Sequence, residues 1–498
     1  MKLRLVPVAA LALLAASCEV GPNYLRPSAP VPMQYKEAKG WRVASPRQAG
    51  ANQNWWSVYD DPVLDGLERQ VDISNQNLKQ AEAAYRVAVS LVQQAEAQLY
   101  PTASVSGSAQ RSGPLGRRTT PTGTGGFLGT QNQFQLAANV SWTLDIWGKI
   151  RRQIASQEAS AQASAADLAA ARLSAQTTLA VDYFTLRATD EQKRLLDTAV
   201  VAFTESLKIT QNQYAVGNAA MSAVLQAKTQ VEQTQSQAIA TGVARAQLEH
   251  AIAVLIGKPP GDFSIKVAAM PSRVPVMPPG VPSMLLERRP DVAAAERTMK
   301  SANELIGVAE AAYYPDITLT ASLGVASTML SNLFNASNAM WAIGSSVSET
   351  VFDAGLRAAQ VEQARATYDE NVASYRQTVL TAFQQVEDEL AALRILEQQA
   401  VAEDATVKDA REAERLTLNQ YLAGTVAYTS VIIAQTTALT NEEAALAILQ
   451  NRLTASVQLT SALGGGWNAA ALPPAADTEK MPGEKNNPSL LHGLLDLF

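Results

Sequence analysis

Among 498 residues the most chemically distinctive is a single cysteine, Cys18. It follows a positive start, Met1-Lys2-Leu3-Arg4, an apolar stretch from Leu5 to Ala16 and the small residues Ala15-Ala16-Ser17. This is a secretory leader, with the apolar stretch too short to span a bilayer. A cysteine directly after the cleavage site is the lipoprotein arrangement: its thiol takes a diacylglycerol and the new amine takes a third acyl chain. The alternative is an ordinary leader with an incidental cysteine. Glu19 in place of Asp favours sorting to the outer membrane, and several acyl chains give stable anchoring. With His250 and His492 as the two histidines, a Cys/His zinc cluster, an iron–sulfur site, a disulfide framework and a Cys–His nucleophilic pair are excluded.

Other candidate residues have plainer readings. Glu387-Asp388-Glu389 are consecutive, so on a helix they point in different directions and read as solvated charge rather than a catalytic pair. Arg288, Arg289 and Asp291 surround Pro290 and read as a helix start, with proline in the first turn and an acid at the positive end. Trp55, Trp56 and Trp142 suggest ligand stacking, but Trp142 lies on an apolar strand face and suits a bilayer interface. Walker A, dinucleotide-binding and nucleophile-elbow patterns are missing from the sequence, so no catalytic residues, metal or cofactor are expected beyond lipid on Cys18. Lys plus Arg is 40 against 46 Asp plus Glu, a net charge of −6 that leaves no basic footprint for nucleic acid.

These residues must be positioned by a duplicated chain. Tyr214-Ala215-Val216-Gly217 recurs as Tyr421-Leu422-Ala423-Gly424, and Leu255-Ile256-Gly257 as Ala462-Leu463-Gly464, both 207 positions on. Tyr100-Pro101 recurs as Tyr314-Pro315 at 214 positions, and the difference falls in a Gly/Thr/Pro-rich loop, where insertions are tolerated. The expected organisation is a leader over 1–17 and a lipid-anchored segment over 18–61. A first repeat over 62–257, a Pro-rich linker over 258–282, a second repeat over 283–464 and a C-terminal segment with a poorly ordered tail over 465–498 follow.

Each repeat reads helix, strand, loop, strand, long helix, turn, helix. Strands are expected near 102–112, 132–146, 315–325 and 340–352. Phe134, Leu136, Ala138, Val140, Trp142, Leu144 and Ile146 take one face of the second, while Gln135, Asn139, Ser141, Thr143 and Asp145 take the other. Period two with one small-polar face suits a half-buried sheet, and equally a lipid-facing barrel with a wet lumen. Helices free of glycine and proline are expected over about 149–213 and 356–420, each roughly 100 Å long at 1.5 Å per residue. The second carries a stripe through Val361, Ala364, Tyr368, Val372, Tyr375, Val379, Ala382, Val386, Leu390 and Leu393; the first is weaker, through Ile150, Ile154, Ala161, Ala165, Leu168, Ala175, Leu179 and Leu186. Rods of this length need partners alongside. Four strands cannot close a barrel, and an open sheet edge in lipid leaves several backbone groups unsatisfied. Either the sheet is soluble or a barrel is shared between subunits.

The chain resembles the outer-membrane factor (TolC-like) family, and within it the lipoprotein branch of OprM- and NodT-like efflux channels. The resemblance rests on Cys18-Glu19-Val20-Gly21-Pro22-Asn23-Tyr24 with Arg26-Pro27, on Trp55-Trp56 near Asp60 and Pro62, and on Trp142-Thr143-Leu144-Asp145-Ile146-Trp147-Gly148-Lys149. Leu285-Leu286-Glu287-Arg288-Arg289-Pro290-Asp291 and Ala382-Phe383-Gln384-Gln385-Val386-Glu387-Asp388 complete it. It implies an α+β membrane protein with internal duplication. A homotrimer would form a twelve-stranded transmembrane β-barrel, four strands per chain, continued by a long periplasmic α-helical barrel with an equatorial mixed domain.

The function so implied is the outer-membrane exit duct of a tripartite efflux system. It would export drugs and other small toxic compounds passively from an inner-membrane pump and a periplasmic adaptor to the outside. Outer-membrane lipid is a partner and nucleic acid is not. The expected periplasmic tip turns, where the adaptor would dock, are Tyr214 to Gly217 and Tyr421 to Gly424, with glycine at the helix stop. Ala223, Gln226, Ser430 and Ile433 are the expected constriction, apolar or hydroxyl-lined where many family members carry acids. Type I protein secretion, metal-ion efflux and a structural periplasmic coiled-coil lipoprotein are the competing readings.

Overall fold

The computed structural model describes residues 19–29, 31–37, 54–113, 130–275 and 285–474. The leader, Cys18, much of the Gly/Thr/Pro-rich loop, residues 276–284 and the tail from 475 lie outside the described residues. Pro62 at the first helical position and Asp61, whose carboxylate accepts from Val63 N and Leu64 N, start α1 (Pro62–Ser74). There follow α2 (Gln76–Ala97), β1 (Thr102–Ser112), β2 (Gln131–Leu144), α3 (Lys149–Ala215) and α4 (Met221–Leu255). The second repeat supplies α5 (Pro290–Ala311), β3 (Asp316–Ser327), β4 (Ala339–Ser348), α6 (Leu356–Leu422) and α7 (Tyr428–Ala462). The duplication is kept to the residue in the helices: α3 and α6 have 67 residues each, α4 and α7 have 35, and α2 and α5 have 22.

The strands form one antiparallel meander, β1-β2-β3-β4. Below it, α3 and α6 run unbroken for about 100 Å. α3 packs against α2 and α4 on one side and against α5 and α7 on the other, and α6 packs against α5 and α7. Four columns result: α4 with α2 end to end, α3, α7 with α5 end to end, then α6. The two composite columns are sealed by side chains at equivalent places. Asn75 donates to Leu255 O at 2.7 Å, at the end of α4, while its oxygen accepts from Leu78 N in the first turn of α2. Arg289, 214 positions on, donates to Ala462 O at 3.1 Å, at the end of α7, and is held by both oxygens of Asp291. Each bond satisfies a helix-end carbonyl that has no intrahelical partner. The butted helices approach so closely that a Cβ at Gly257 would run into the Ser74 carbonyl, and one at Gly464 into the Arg288 carbonyl. The reading of Arg289 as a mere helix start is therefore too narrow.

Most of the expected stripe on α6 is core: Tyr375, Val379, Ala382, Val386 and Leu390 are buried with Phe383 against Val292, Met299 and Leu459. Trp55 and Trp56 are also core, 4% and 2% exposed, so the ligand-stacking reading of these two is set aside. Around them Tyr59 bonds Ser456 Oγ at 2.7 Å and Tyr183 donates to Asp61 at 2.6 Å, drawing the short 3-10 helix Trp55–Tyr59, α1, α3 and α7 into a girdle. The linker is pinned there too, since Arg187 donates to Lys266 O and Arg245 to Ile265 O. Residues 19–29 and 31–37 form a strap over α5 and α6: Tyr24 donates to Glu296, Arg26 donates to Tyr375 Oη, and Glu387 accepts from Lys36 N and Glu37 N. Glu387 is thus a strap anchor, not the freely solvated charge expected from its neighbours. Two strands stop short of expectation, while β3 runs two residues past it, to Ser327. β2 stops at Leu144 because Asp145 turns to accept from Ile150 N and Arg151 N. β4 stops at Ser348 because its partner β3 begins at Asp316, leaving Val351 and Phe352 beyond the ladder.

Glu68 on α1 is fully buried, and neither carboxylate oxygen has a hydrogen-bond partner. Burial, with a smaller push from Asp72, raises its pKa from about 4.5 to about 9. The unfolded chain releases this proton near 4.5 and the folded chain holds it to about 9, so stability falls as pH rises across that window. Glu68→Gln is expected to leave the melting temperature unchanged at pH 4.5 and to raise it at pH 8; calorimetry showing equal shifts at both values would refute this.

Candidate functional site

Three places are candidates for function: the two faces of the sheet, the boundary where strands become helices, and the far turns of the long helices. The register puts like with like. Across the sheet Ala138 pairs with Leu323 and Leu323 with Trp341, while Trp142 pairs with Leu319, Val140 with Ala321 and Ala321 with Ile343. That face continues through Val105 and Leu136. The opposite face is small and polar: Ser104 pairs with Asn139, Asn139 with Ser322, and Ser141 with Thr320. Several apolar-face side chains are open in the protomer, among them Trp341 at 76%, Ile343 at 79% and Val105 at 76%. An apolar band of this size without protein cover fits acyl chains, with the hydroxyl and amide face toward water.

The boundary is marked by aromatic rings. Trp142 Nε1 donates to Leu99 O at 2.8 Å, Trp147 Nε1 donates to Pro315 O at 2.9 Å, and Trp147 stacks on Tyr314 with centroids 4.8 Å apart. Such amphipathic rings suit a headgroup layer. The strap begins here. Val20 N donates to Trp147 O at 3.2 Å, and Arg152 holds Gly21 O and Asn23 while ion-paired to Glu304 at 2.5 Å. Cys18 lies outside the described residues, but its neighbour Glu19 lies against Gly148, at the junction of β2 and α3.

At the far end, α3 and α6 close in matching turns. Gly217 and Gly424 have φ of +80° and +74°. Asn218 N donates to Gln213 O and Thr425 N to Gln420 O, which keeps Tyr214 and Tyr421 inside the last turn and carries each helix two residues beyond its expected end. The two tyrosines differ in setting. Tyr214 is 48% exposed. Tyr421 is buried with its ring 5.2 Å from Tyr428, and its hydroxyl donates to Thr210 Oγ1 at 3.4 Å. Gln435 donates to Ser206 Oγ at 3.0 Å, a second bond between the hairpins. Ser206, Thr210 and Gln435 carried no sequence signal; their contact across 211 and 229 positions exists only in the fold. Of the expected constriction residues, Gln226, Ser430 and Ile433 are exposed in the protomer, whereas Ala223 packs half-buried into the cluster around Tyr421, Tyr428 and Val431.

A sheet clad for lipid on one face and water on the other, continued by parallel helical columns, defines one wall segment of an outer-membrane channel. The chain belongs to the outer membrane efflux protein family, whose model matches residues 68–258 and 281–465. It is 30% identical over 473 residues to the probable efflux pump outer membrane protein TtgC of Pseudomonas putida, covering 93% of this chain and 96% of that protein. It is 27% identical to the cation efflux system protein CusC of Escherichia coli, covering 92% of this chain and 97% of that one. The solved structure of the outer-membrane channel OprN superposes with a TM-score of 0.83 at 26% identity, covering 90% of this chain and all of that one. The fold class is that of trimeric outer-membrane channels, with four strands per chain in the barrel above a helical barrel. The chain is a passive efflux channel of the outer membrane, not an enzyme.

Two outcomes follow from this geometry. Trp341→Arg places a charge in lipid at a cost of about 2–4 kcal/mol near the midplane, whereas Ser322→Arg points to water. Trimer recovery from outer membranes should fall for the first and hold for the second; equal recovery would reverse or abolish the facing. Gly424→Val meets no neighbouring atom, so its effect is backbone strain alone, roughly 1–3 kcal/mol. Faster proteolysis confined to the α6–α7 turn is expected, and wild-type resistance there would contradict the strain.

Proposed function

We propose that three copies close one continuous duct through which small molecules leave the cell. An inner-membrane pump supplies the energy, and a periplasmic adaptor joins it at the turns around Tyr214–Gly217 and Tyr421–Gly424. The observation that carries this reading is the matching of open edges. β1, α2 and α4 lie along one margin of the protomer, and β4 and α6 along the other. Apolar side chains stand exposed on both: Val87, Ile239 and Val243 on the first, Ile395 and Val401 on the second. Cyclic repetition brings each margin against its complement and leaves neither strand edge nor helix flank open. Three protomers of four strands make twelve, an even number of antiparallel strands as such barrels require.

A lipid on Cys18 supports the same placement. The strap attaches beside Trp147 and Gly148, so an acylated residue next to Glu19 sits at the inner edge of the bilayer. At the tip, Gln226, Ser430 and Ile433 supply the narrowing, a neutral constriction without an acidic ring. The likeness to CusC supports a second reading in which metal cations are the cargo. Metal-cation susceptibility of a deletion strain, measured beside solvents and antibiotics, separates the two.

Purified protein in planar bilayers is expected to give stepwise conductance as a trimer, and deletion is expected to sensitise cells to at least one exported compound. Cys18→Ala should abolish the acyl mass increment while leaving the conductance in place. A preparation without conductance, from a gene whose loss changes no susceptibility, would defeat the duct.

A further inference from the structure

The end-to-end joint of α7 and α5 lies between two unbroken helices, and a cleft opens there. It comprises two adjoining cavities of about 250 and 280 Å³ that share Thr177, Arg289, Gln385 and Ser461. Its direction follows from helical phase, because residues two apart on a helix face nearly opposite ways. On α6 Glu387 receives the strap amides, and Gln385 and Glu389, two residues to either side, line the cleft. On α7 Ser456 bonds Tyr59 of the girdle, and Gln458, two residues on, lines the cleft. On α3 Gln176 accepts from Trp55 of the girdle, and Ser174 and Thr178, two residues to either side, line the cleft. All three helices therefore turn these girdle-bound residues one way and most of their cleft residues the other, with Leu173 at the border, packed on the girdle core as well. The girdle adds a layer to one face of the wall, and a duct whose bore stays open to cargo carries that layer on its outside, so in the proposed duct the cleft opens to the bore.

The charges at the cleft do not cancel. The Arg289 guanidinium is matched by Asp291 at 2.6 and 3.0 Å and by Ala462 O, so that pair is internally neutral. Glu389 has no cationic partner among the described residues, and burial with the neighbouring Asp388 pushes its pKa up to about 7. α3 and α7 add only hydroxyls, amides and apolar groups to the lining. On the apolar side stand Ala170, Leu173 and Pro290.

We propose that this equatorial cleft is a cargo-binding subsite in the bore, one per protomer, that takes organic cations with a flat apolar body: the charge meets Glu389, the body rests on Leu173 and Pro290, and Gln385, Gln458 and Ser461 supply hydrogen bonds. The subsite rests on the duct reading, since it needs a bore, and adds a substrate preference to it. The cleft exists because a chain that makes one column from two helices must leave a joint, and the joint exposes side chains that an unbroken helix would cover.

The test is a fluorescence-anisotropy titration of full-length trimer in detergent with ethidium, an apolar-bodied cation, against fluorescein, an anion of similar size. Ethidium should bind more tightly at pH 8 than at pH 6, because the Glu389 carboxylate forms as pH rises through about 7. Glu389→Gln should weaken ethidium about fivefold at pH 8, a size fitting one partly solvated charge pair, and should flatten the pH dependence. Glu389→Asp should restore part of both. Ser461→Trp should block binding by filling the cleft without altering its charge. Conductance of each variant in bilayers reports that its trimer is intact. A conducting trimer that binds both dyes alike, or ignores Glu389→Gln and Ser461→Trp, overturns the subsite and leaves the duct standing; a wild-type trimer that never conducts overturns the duct and the subsite with it.

Discussion

The completion of backbone hydrogen bonds in lipid governs this molecule. Each protomer ends in β1 on one side and β4 on the other, and among the described residues no further strand pairs with either outer edge. In water an open edge is tolerable; in hydrocarbon each unmatched group costs several kcal/mol. The sheet is therefore a fragment that becomes a membrane structure only as part of a ring. The helices inherit that condition, because α2 leads into β1 and β4 leads toward α6. The margins left open in the sheet are the same margins left open in the helical wall.

The helical wall answers a second constraint. A column long enough to leave the membrane and cross much of the periplasm is built in two ways within one chain, as a single 67-residue helix and as two shorter helices butted together. The butted ends would each expose carbonyls and amides. Asn75 answers at one joint and Arg289 at the other, residues of unlike chemistry that occupy equivalent positions in the repeats. The duplication preserved the geometric need and let the chemistry diverge. The arginine at its joint is held by Asp291, and the two line the cleft there.

Divergence between the repeats is clearest at the tip. Tyr214 and Tyr421 close turns of the same shape, yet one ring stands in solvent and the other is packed against Tyr428 and hydrogen-bonded to the opposite hairpin. The bonds between hairpins, Tyr421 to Thr210 and Gln435 to Ser206, join neutral groups. Neutral bonds are modest in strength and indifferent to salt, unlike charged pairs, which screening weakens. Raising the salt concentration therefore leaves these two bonds in place.

Much of this was legible from residue order alone. Periodicity is local, so two-residue alternation in Phe134 to Leu144 and the glycine-free runs before Gly217 and Gly424 announced strands, rods and turns. A repeated Tyr–Pro and a repeated Gly announced the duplication, and four strands announced that a barrel in lipid would need more than one chain. Other features were closed to such reading because they depend on which distant segments meet. The anchoring of the strap amides by Glu387, the burial of Glu68 without a partner, the unequal fates of Tyr214 and Tyr421 and the cleft beside Glu389 arise from contacts between residues separated by a hundred positions or more. Spacing along a chain records which side of its own helix or strand a residue occupies; only the packed columns decide what stands opposite.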